Sequence, residues 1–290
     1  MSPFHLAESP LWHAKNNQWI WTDILQQHIF LASLSKTKDV GVKRHFAIEQ
    51  MVSNIVLLNE NSLLLSAEKS HFVFDLKSET CTPIAELPHS DLFRCNDGSV
   101  GPDGKYWFGT MEKKPTGLNG DIYSLDAKGQ LVAQNIPIGI PNSFIWVDDY
   151  SVLVSDSFLQ KTFKVNLNTE GKLDWANRSV WLDLSETDCT PDGGAIDEQG
   201  NIWLAIWGGA AIHKYSPAGK LLDKIQLQAL QPTSCAFGGP DMEFLLITTA
   251  TEGLSEQQMK DYPDSGKVLQ YHQLIKGKPM PHFKLEVASC

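Results

Sequence analysis

Strand-like segments recur along this chain at a nearly constant step, and that period constrains the fold more than any other feature. They occupy residues 19–23, 62–66, 106–109, 152–155, 202–205 and 244–247. Measured on Trp21, Leu64, Trp107, Leu153, Trp203 and Leu245, the steps are 43, 43, 46, 50 and 42 residues. About 40–50 residues is the length of one propeller blade, a four-stranded antiparallel sheet. Turn dipeptides stand where hairpins need them, at Asp103-Gly104, Lys128-Gly129, Gln199-Gly200 and Ala218-Gly219. Helical patterning is scarce, and residues 255–260 have room for one turn of helix within a loop. A sandwich of irregular strand spacing accounts less well for steps this even. The fold class expected is all-β, a single six-bladed β-propeller domain over residues 1–290.

Composition removes several classes of function. The chain has 290 residues, is 42% hydrophobic and carries a net charge of -10. The acidic balance argues against nucleic acid as a partner, since such binders need a basic patch to neutralise phosphates, and makes an anionic membrane a poor one. The five cysteines, Cys81, Cys95, Cys189, Cys235 and Cys290, are odd in number and widely spaced. They form neither a disulfide framework nor a thiolate zinc motif. Residues 1–11 show no basic region followed by an apolar core, and no apolar run approaches membrane-spanning length. The expected location is cytoplasmic; the sequence leaves the oligomeric state open.

Aligning the blades brings out a polar register. Eleven residues before Trp19, Trp107, Leu153 and Trp203 stand Glu8, Asn96, Asn142 and Asp192. The same offset from Leu64 and Leu245 gives Ser53 and Ser234. In a propeller the first strand of each blade lines the central channel, so equivalent positions are expected to converge there. Polar residues often precede strands for local hydrogen bonding, which explains one such residue better than four in register. Two carboxylates in one narrow channel repel and lose hydration unless a cation lies between them. Carboxylate and amide oxygens are hard ligands, suited to calcium, magnesium or manganese.

These residues sit in motifs that resemble the senescence marker protein-30/regucalcin and gluconolactonase family. The motifs are Glu8-Ser-Pro-Leu-Trp12 with Trp21-Thr-Asp23, Arg94-Cys-Asn-Asp-Gly98 leading to Phe108-Gly-Thr-Met111, Ile140-Pro-Asn142, Pro191-Asp-Gly193 leading to Trp203-Leu-Ala205, and Thr233-Ser-Cys-Ala-Phe-Gly-Gly239. Each is weak alone; the ordered set spans almost the whole chain. The resemblance implies a six-bladed propeller with one divalent cation in the central channel, held by Glu8, Asn142 and Asp192. Calcium is the first expectation, with zinc, magnesium, manganese or iron(II) also admitted. It further implies that Asn96 contacts substrate, that Arg94 binds sugar hydroxyls, and that the reaction opens a sugar lactone, commonly an aldonolactone, to the acid. The chain departs from many relatives at Cys95, where they carry an aromatic residue, and at Glu112, in a segment that helps form the sugar pocket of some.

The residues themselves suggest roles. Asp192 is the expected catalytic base, since a carboxylate can ligate with one oxygen and accept a proton with the other. The alternative is activation of the water by direct metal coordination, because a bound cation weakens the carboxylate as a base. Arg94 has no useful acid–base range and is expected to orient oxygens. Strand alternation sends it to the same side as Asn96. Asp156 is expected either near the channel or in an ordinary inter-blade hydrogen bond, Cys95 as a buried structural thiol, and Trp12, Trp107 and Trp203 as packing residues. His213, on a strand, is expected to face solvent. Two other readings stand beside the lactonase: a paraoxonase-like arylesterase or phosphotriesterase, and a non-enzymatic calcium-binding propeller. Repeated Trp-Asp blade endings, the mark of protein-binding propellers, are absent.

Overall fold

A computed structural model of the protein describes residues 3–286; Cys290 and the extreme ends of the expected 1–290 domain lie outside the described residues. Six antiparallel sheets follow one another along the chain, each strand hydrogen-bonded to its sequence neighbour. Blade 1 contains β1 (Ala7–His13), β2 (Gln18–Asp23), β3 (His28–Ser33) and β4 (Arg44–Ala47). Blade 2 contains β5 (Val52–Asn59), β6 (Ser62–Ala67), β7 (Ser70–Asp75) and β8 (Cys81–Glu86). Blade 3 contains β9 (Phe93–Val100), β10 (Tyr106–Glu112), β11 (Ile122–Leu125) and β12 (Leu131–Ala133). Blade 4 contains β13 (Pro141–Trp146), β14 (Ser151–Asp156), β15 (Lys161–Asn166) and β16 (Ser179–Asp183). Blade 5 contains β17 (Thr190–Ile196), β18 (Ile202–Trp207), β19 (Ala211–Tyr215) and β20 (Leu221–Gln226). Blade 6 contains β21 (Gln231–Gly238), β22 (Phe244–Ala250) and β23 (Leu269–His272).

Each of the six periodic markers lies on the second strand of its blade and is buried. The period is therefore a packing signal: one large apolar residue per sheet is buried on its second strand. The four predicted turn glycines, Gly104, Gly129, Gly200 and Gly219, have φ of 77, 78, 81 and 80°. Those left-handed conformations are the ones that a side chain would disfavour. The short helix is also present, as α1 (Glu256–Asp261), closed by a reciprocal capping box between Ser255 and Gln258. Among the described residues no helix is long and apolar enough to cross a membrane.

The chain divides into two compact units. One runs through Val52 and again from Leu184 to Pro279, and holds blades 1, 5 and 6. Its core includes Phe4, Trp12, Trp19, Trp21, Phe30, Leu246 and Val268. Blade 6 departs from the expected four strands, and a segment of blade 1 takes up its outer edge. Asp39 bridges to Leu269, Val40 N–H donates to Val268 at 3.1 Å, and Gln270 N–H donates to Lys38 at 2.7 Å. Backbone groups on β23 that would otherwise form an open edge are thereby paired. Gln270 pins this seam, its Oε1 accepting from the Trp19 indole at 2.8 Å and its amide donating to Ser35 at 3.0 Å.

The second unit, Ser53 to Asp183 with the segment from Met280, holds blades 2, 3 and 4. Tyr106, Phe108 and Tyr123 stack in its core, joined by the fully buried Phe283. A second cluster gathers Trp107, Ile122, Phe144 and Val154. Tryptophan indoles anchor in both units on turn aspartates, Trp107 on Asp103 and Trp203 on Asp197, each at 3.1 Å. The packing role expected for Trp12, Trp107 and Trp203 is observed.

Candidate functional site

The polar register coincides with a backbone irregularity. In blades 1, 3, 4, 5 and 6 the ladder between the first two strands is broken by a bulge. Glu8, Asn142 and Ser234 border the bulges of β1, β13 and β21. Asn96 and Asp192 fall inside those of β9 and β17, between Cys95 and Gly98 and between Pro191 and Gly194. A bulge adds a residue to one strand and re-aims its side chains, which is how a regular sheet presents a polar group at its rim. Ser9 and Ser143, immediately after Glu8 and Asn142, have φ of 50 and 59°. Non-glycine residues in this region need an external hold.

In the unit of blades 2, 3 and 4, three predicted residues form one hydrogen-bonded group. Arg94 Nη1 donates to Asn96 Oδ1 at 2.5 Å and to the Cys95 carbonyl at 2.8 Å. Asn96 Nδ2 donates to Asn142 Oδ1 and to the Pro141 carbonyl, both at 2.8 Å. Asn142 Nδ2 donates to Ser157 Oγ at 2.8 Å. These partners fix both amide orientations, with nitrogen and oxygen assigned by the network. Asn142 turns its oxygen, not its nitrogen, toward Asn96. The shared side of Arg94 and Asn96, inferred from strand alternation, is observed.

The other unit carries Glu8 and Asp192. Glu8 is half-buried and its Oε2 accepts from Ser9 N–H at 3.1 Å. Asp192 is buried, and its Oδ1 accepts from Gly193 N–H at 3.0 Å. Gly193 is needed there, since a Cβ would stand 2.3 Å from Ser234 Oγ. The Thr233 hydroxyl, at the β21 bulge, reaches the Ala7 carbonyl at 2.5 Å, just before Glu8.

Two buried aspartates tie down the chain entering these bulges. Asp23 accepts from His5, Leu6 and Gln26 N–H at 2.7, 3.2 and 3.0 Å. Asp156 accepts from Gly139, Ile140 and Phe158 N–H at 3.0, 3.0 and 3.1 Å. Asp156 does hydrogen-bond, but to N–H groups flanking the first two strands of its own blade rather than between blades. Cys95 is fully buried, and burial pushes its thiol well above the ordinary range, as expected of a structural cysteine. Glu112 accepts from Thr116 N–H and hydroxyl at 2.8 Å; the Asn119 side chain first, then Thr116, holds its carboxyl below the usual range.

The structure corrects the expectation for His213. It is half-buried, its Nδ1 lies 2.9 Å from the Tyr215 hydroxyl, and burial pushes its pKa down to about 4. Alternation gives the face of a strand, but the neighbours on that face decide exposure.

Sequence reasoning passed over Asp97, although it lies in a quoted motif. Its carboxylate binds Gly98 N–H at 2.7 Å, Asn54 Nδ2 at 2.8 Å and Ser143 N–H at 2.8 Å. Desolvation pushes it up to about 6, against the pull of those three donors. The available signal was its place beside Asn96.

Donor chemistry decides whether a divalent cation suits these residues. Among the described residues no three His, Cys, Asp or Glu side chains gather as a metal cluster. A cation would therefore have to draw on an amide oxygen as well as carboxylates. The Asn142 side chain offers such an oxygen, its nitrogen being bonded to Ser157. Glu8, Asn142 and Asp192 are all oxygen donors, which suits a hard divalent ion.

Comparison with known proteins identifies the family. The family model described as "SMP-30/Gluconolactonase/LRE-like region" matches residues 6–251. Regucalcin of Danio rerio is 29% identical over 282 residues, covering 94% of this chain and 93% of the relative. The 6-deoxy-6-sulfogluconolactonase of Pseudomonas putida is 26% identical over 284 residues, covering 97% and 96%. The crystal structure of a calcium-binding protein, regucalcin from Agrobacterium tumefaciens, superposes with a TM-score of 0.90 at 28% identity, over 98% of this chain and 95% of that one. The fold is accordingly the all-β six-bladed propeller that the period predicts.

Proposed function

Because the chain belongs to the SMP-30/gluconolactonase/LRE-like family, we propose that it is a metal-dependent hydrolase that opens a sugar lactone, of the aldonolactone class, to the free acid. In this reading residues 1–290 form one domain, Glu8, Asn142 and Asp192 ligate a single divalent cation, and the protein works in the cytoplasm on a small-molecule substrate. Calcium is the first candidate, supported by the calcium-binding description of the Agrobacterium tumefaciens relative. The observation that carries the reading is the Arg94–Asn96–Asn142 group, which joins substrate-type donors to an oriented ligand-type oxygen.

A bound divalent cation would polarise the lactone carbonyl and stabilise the oxyanion that forms on it. The remaining work belongs to side chains. Arg94 fixes the Asn96 amide and supplies planar donors to sugar oxygens. Ser157 keeps the Asn142 oxygen available as a donor atom. Gly193 N–H orients the Asp192 carboxylate, which accepts the proton of the attacking water. Relatives named as lactonases support the reaction class.

The test is a screen of metal-stripped protein resupplied with calcium, magnesium, manganese, zinc or iron(II). Each sample is offered sugar lactones and aryl esters. Lactone hydrolysis restored by a cation is expected. Ester without lactone turnover would favour the paraoxonase-like activity, and no hydrolysis with any metal would favour a calcium-binding module.

A further inference from the structure

One carboxylate holds the first strands of three successive blades together. Asp97 binds Asn54 of β5, Gly98 of its own strand β9, and Ser143 N–H of β13. Ser143 is the left-handed residue after Asn142, and Asp97 is the bulge residue after Asn96. The two amides of the candidate site thus meet at 2.8 Å with their backbones clamped by the same side chain.

The donors behind Asn54 all run toward that carboxylate. Asn54 gives its nitrogen to Asp97, so its oxygen accepts from the Tyr106 hydroxyl at 3.2 Å. A phenol has one proton, so Tyr106 must accept from Ser66 Oγ at 2.7 Å. Ser66, its proton used, accepts from His71 Nδ1 at 3.0 Å. This order assigns His71 the neutral Nδ1–H tautomer. Its Nε2, buried without a hydrogen-bond partner, is then a bare acceptor, less costly to orphan than an N–H. A chain of donors running one way needs an acceptor-only group at its end, which an ionised carboxylate is.

We propose that Asp97 is a positioning residue for the candidate site: by holding Ser143 in its left-handed conformation and bracing the β9 bulge, it sets the direction of the Asn142 carbonyl oxygen and its contact with Asn96. The proposal rests on the reading of Asn142 as a ligand and Asn96 as a substrate contact. Tyr106, two links away, lies beside Gly98 but gives its hydroxyl bonds to Asn54 and Ser66 rather than to Asp97 or Ser143, so removing its hydroxyl separates positioning from general stability.

The experiment follows the Asn142 side-chain amide protons in nitrogen-15 spectra of the full chain, assigned by their loss in Asn142→Asp. Manganese affinity by calorimetry and the thermal midpoint are measured alongside. Asp97→Asn is expected to speed exchange of those protons and to weaken manganese binding, each by about tenfold or more. Tyr106→Phe should lower the midpoint and leave both quantities within about threefold. Adding Ser143→Gly to Asp97→Asn should recover part of both losses, since glycine needs no clamp at that φ, and this double variant serves where the single one does not fold. Unchanged exchange in Asp97→Asn, or losses as large in Tyr106→Phe, would overturn the proposal. If the wild type binds no cation, the ligand reading fails while amide exchange still decides the role of Asp97.

Discussion

Asn96 donates its side-chain amide to Asn142 Oδ1 at 2.8 Å across 46 residues of sequence. Each of these residues is marked by its distance from a strand signal, one in blade 3 and one in blade 4. Their contact fixes which amide atom each presents, and amide orientation separates a metal ligand from a bystander.

Replacing Asp192 with Ala is expected to abolish lactone turnover in a protein that still folds. Circular dichroism and the thermal midpoint check the fold, and a lactonase assay reads activity. Turnover at the wild-type rate would remove Asp192 from the mechanism. Gly193→Ala approaches the same carboxylate through packing. Its new Cβ would crowd Ser234, and overpacking of this kind costs about 1–3 kcal/mol in a denaturant titration.

Arg94→Ala is expected to raise KM by about tenfold while calorimetric cation affinity holds, because Arg94 is read as a contact for substrate oxygens, held beside the Asn96 oxygen. Lysine should not restore KM, since its single ammonium lacks the planar fork. Collapse of cation binding in Arg94→Ala would show that its role is wrongly assigned.

Asp156→Ala should destabilise the fold by about 2–4 kcal/mol, read from urea unfolding, because three backbone N–H groups lose a buried charged acceptor. Asp23→Ala should behave alike in blade 1. A change under about 0.5 kcal/mol in either variant would mean that solvent replaces the carboxylate without cost.

Stability should fall on acidification through the histidine range. Burial depresses His71 to about 3 and His213 to about 4 in the folded protein. Below about 6.5 the unfolded chain binds protons that the folded chain refuses, so folding weakens as pH drops from there toward those values. His71, fully buried, contributes up to about 1.4 kcal/mol per pH unit, and the half-exposed His213 less because solvent screens it. Urea midpoints between pH 7 and pH 4.5 should show a flatter slope in His71→Leu than in the wild type. Equal slopes would place the acid sensitivity in other groups.

Chelator treatment checks the ligand set directly. Stripping the cation should remove lactonase activity and lower the thermal midpoint, and Glu8→Gln should reduce the midpoint gained on adding cation back. A midpoint that ignores cations would count against Glu8, Asn142 and Asp192 as ligands.

The sequence by itself determined the blade count. Burying one large residue on the second strand of every sheet imposes a period, and period is a property of order along the chain: Trp21, Leu64, Trp107, Leu153, Trp203 and Leu245 carry it. Turn chemistry is equally local, so Gly104 and Gly219 were legible as hairpin residues. The edge of blade 6 was not, because residues 38–40 fill it from 230 positions away in the chain, as the Asp39–Leu269 bridge shows. Only tertiary structure decided the bulges that aim Asn96 and Asp192, the partners that turn the Asn142 oxygen, the burial of His213 and the clamp made by Asp97. Hydrogen-bond direction and desolvation depend on which atoms meet in space, and no spacing along the chain encodes them.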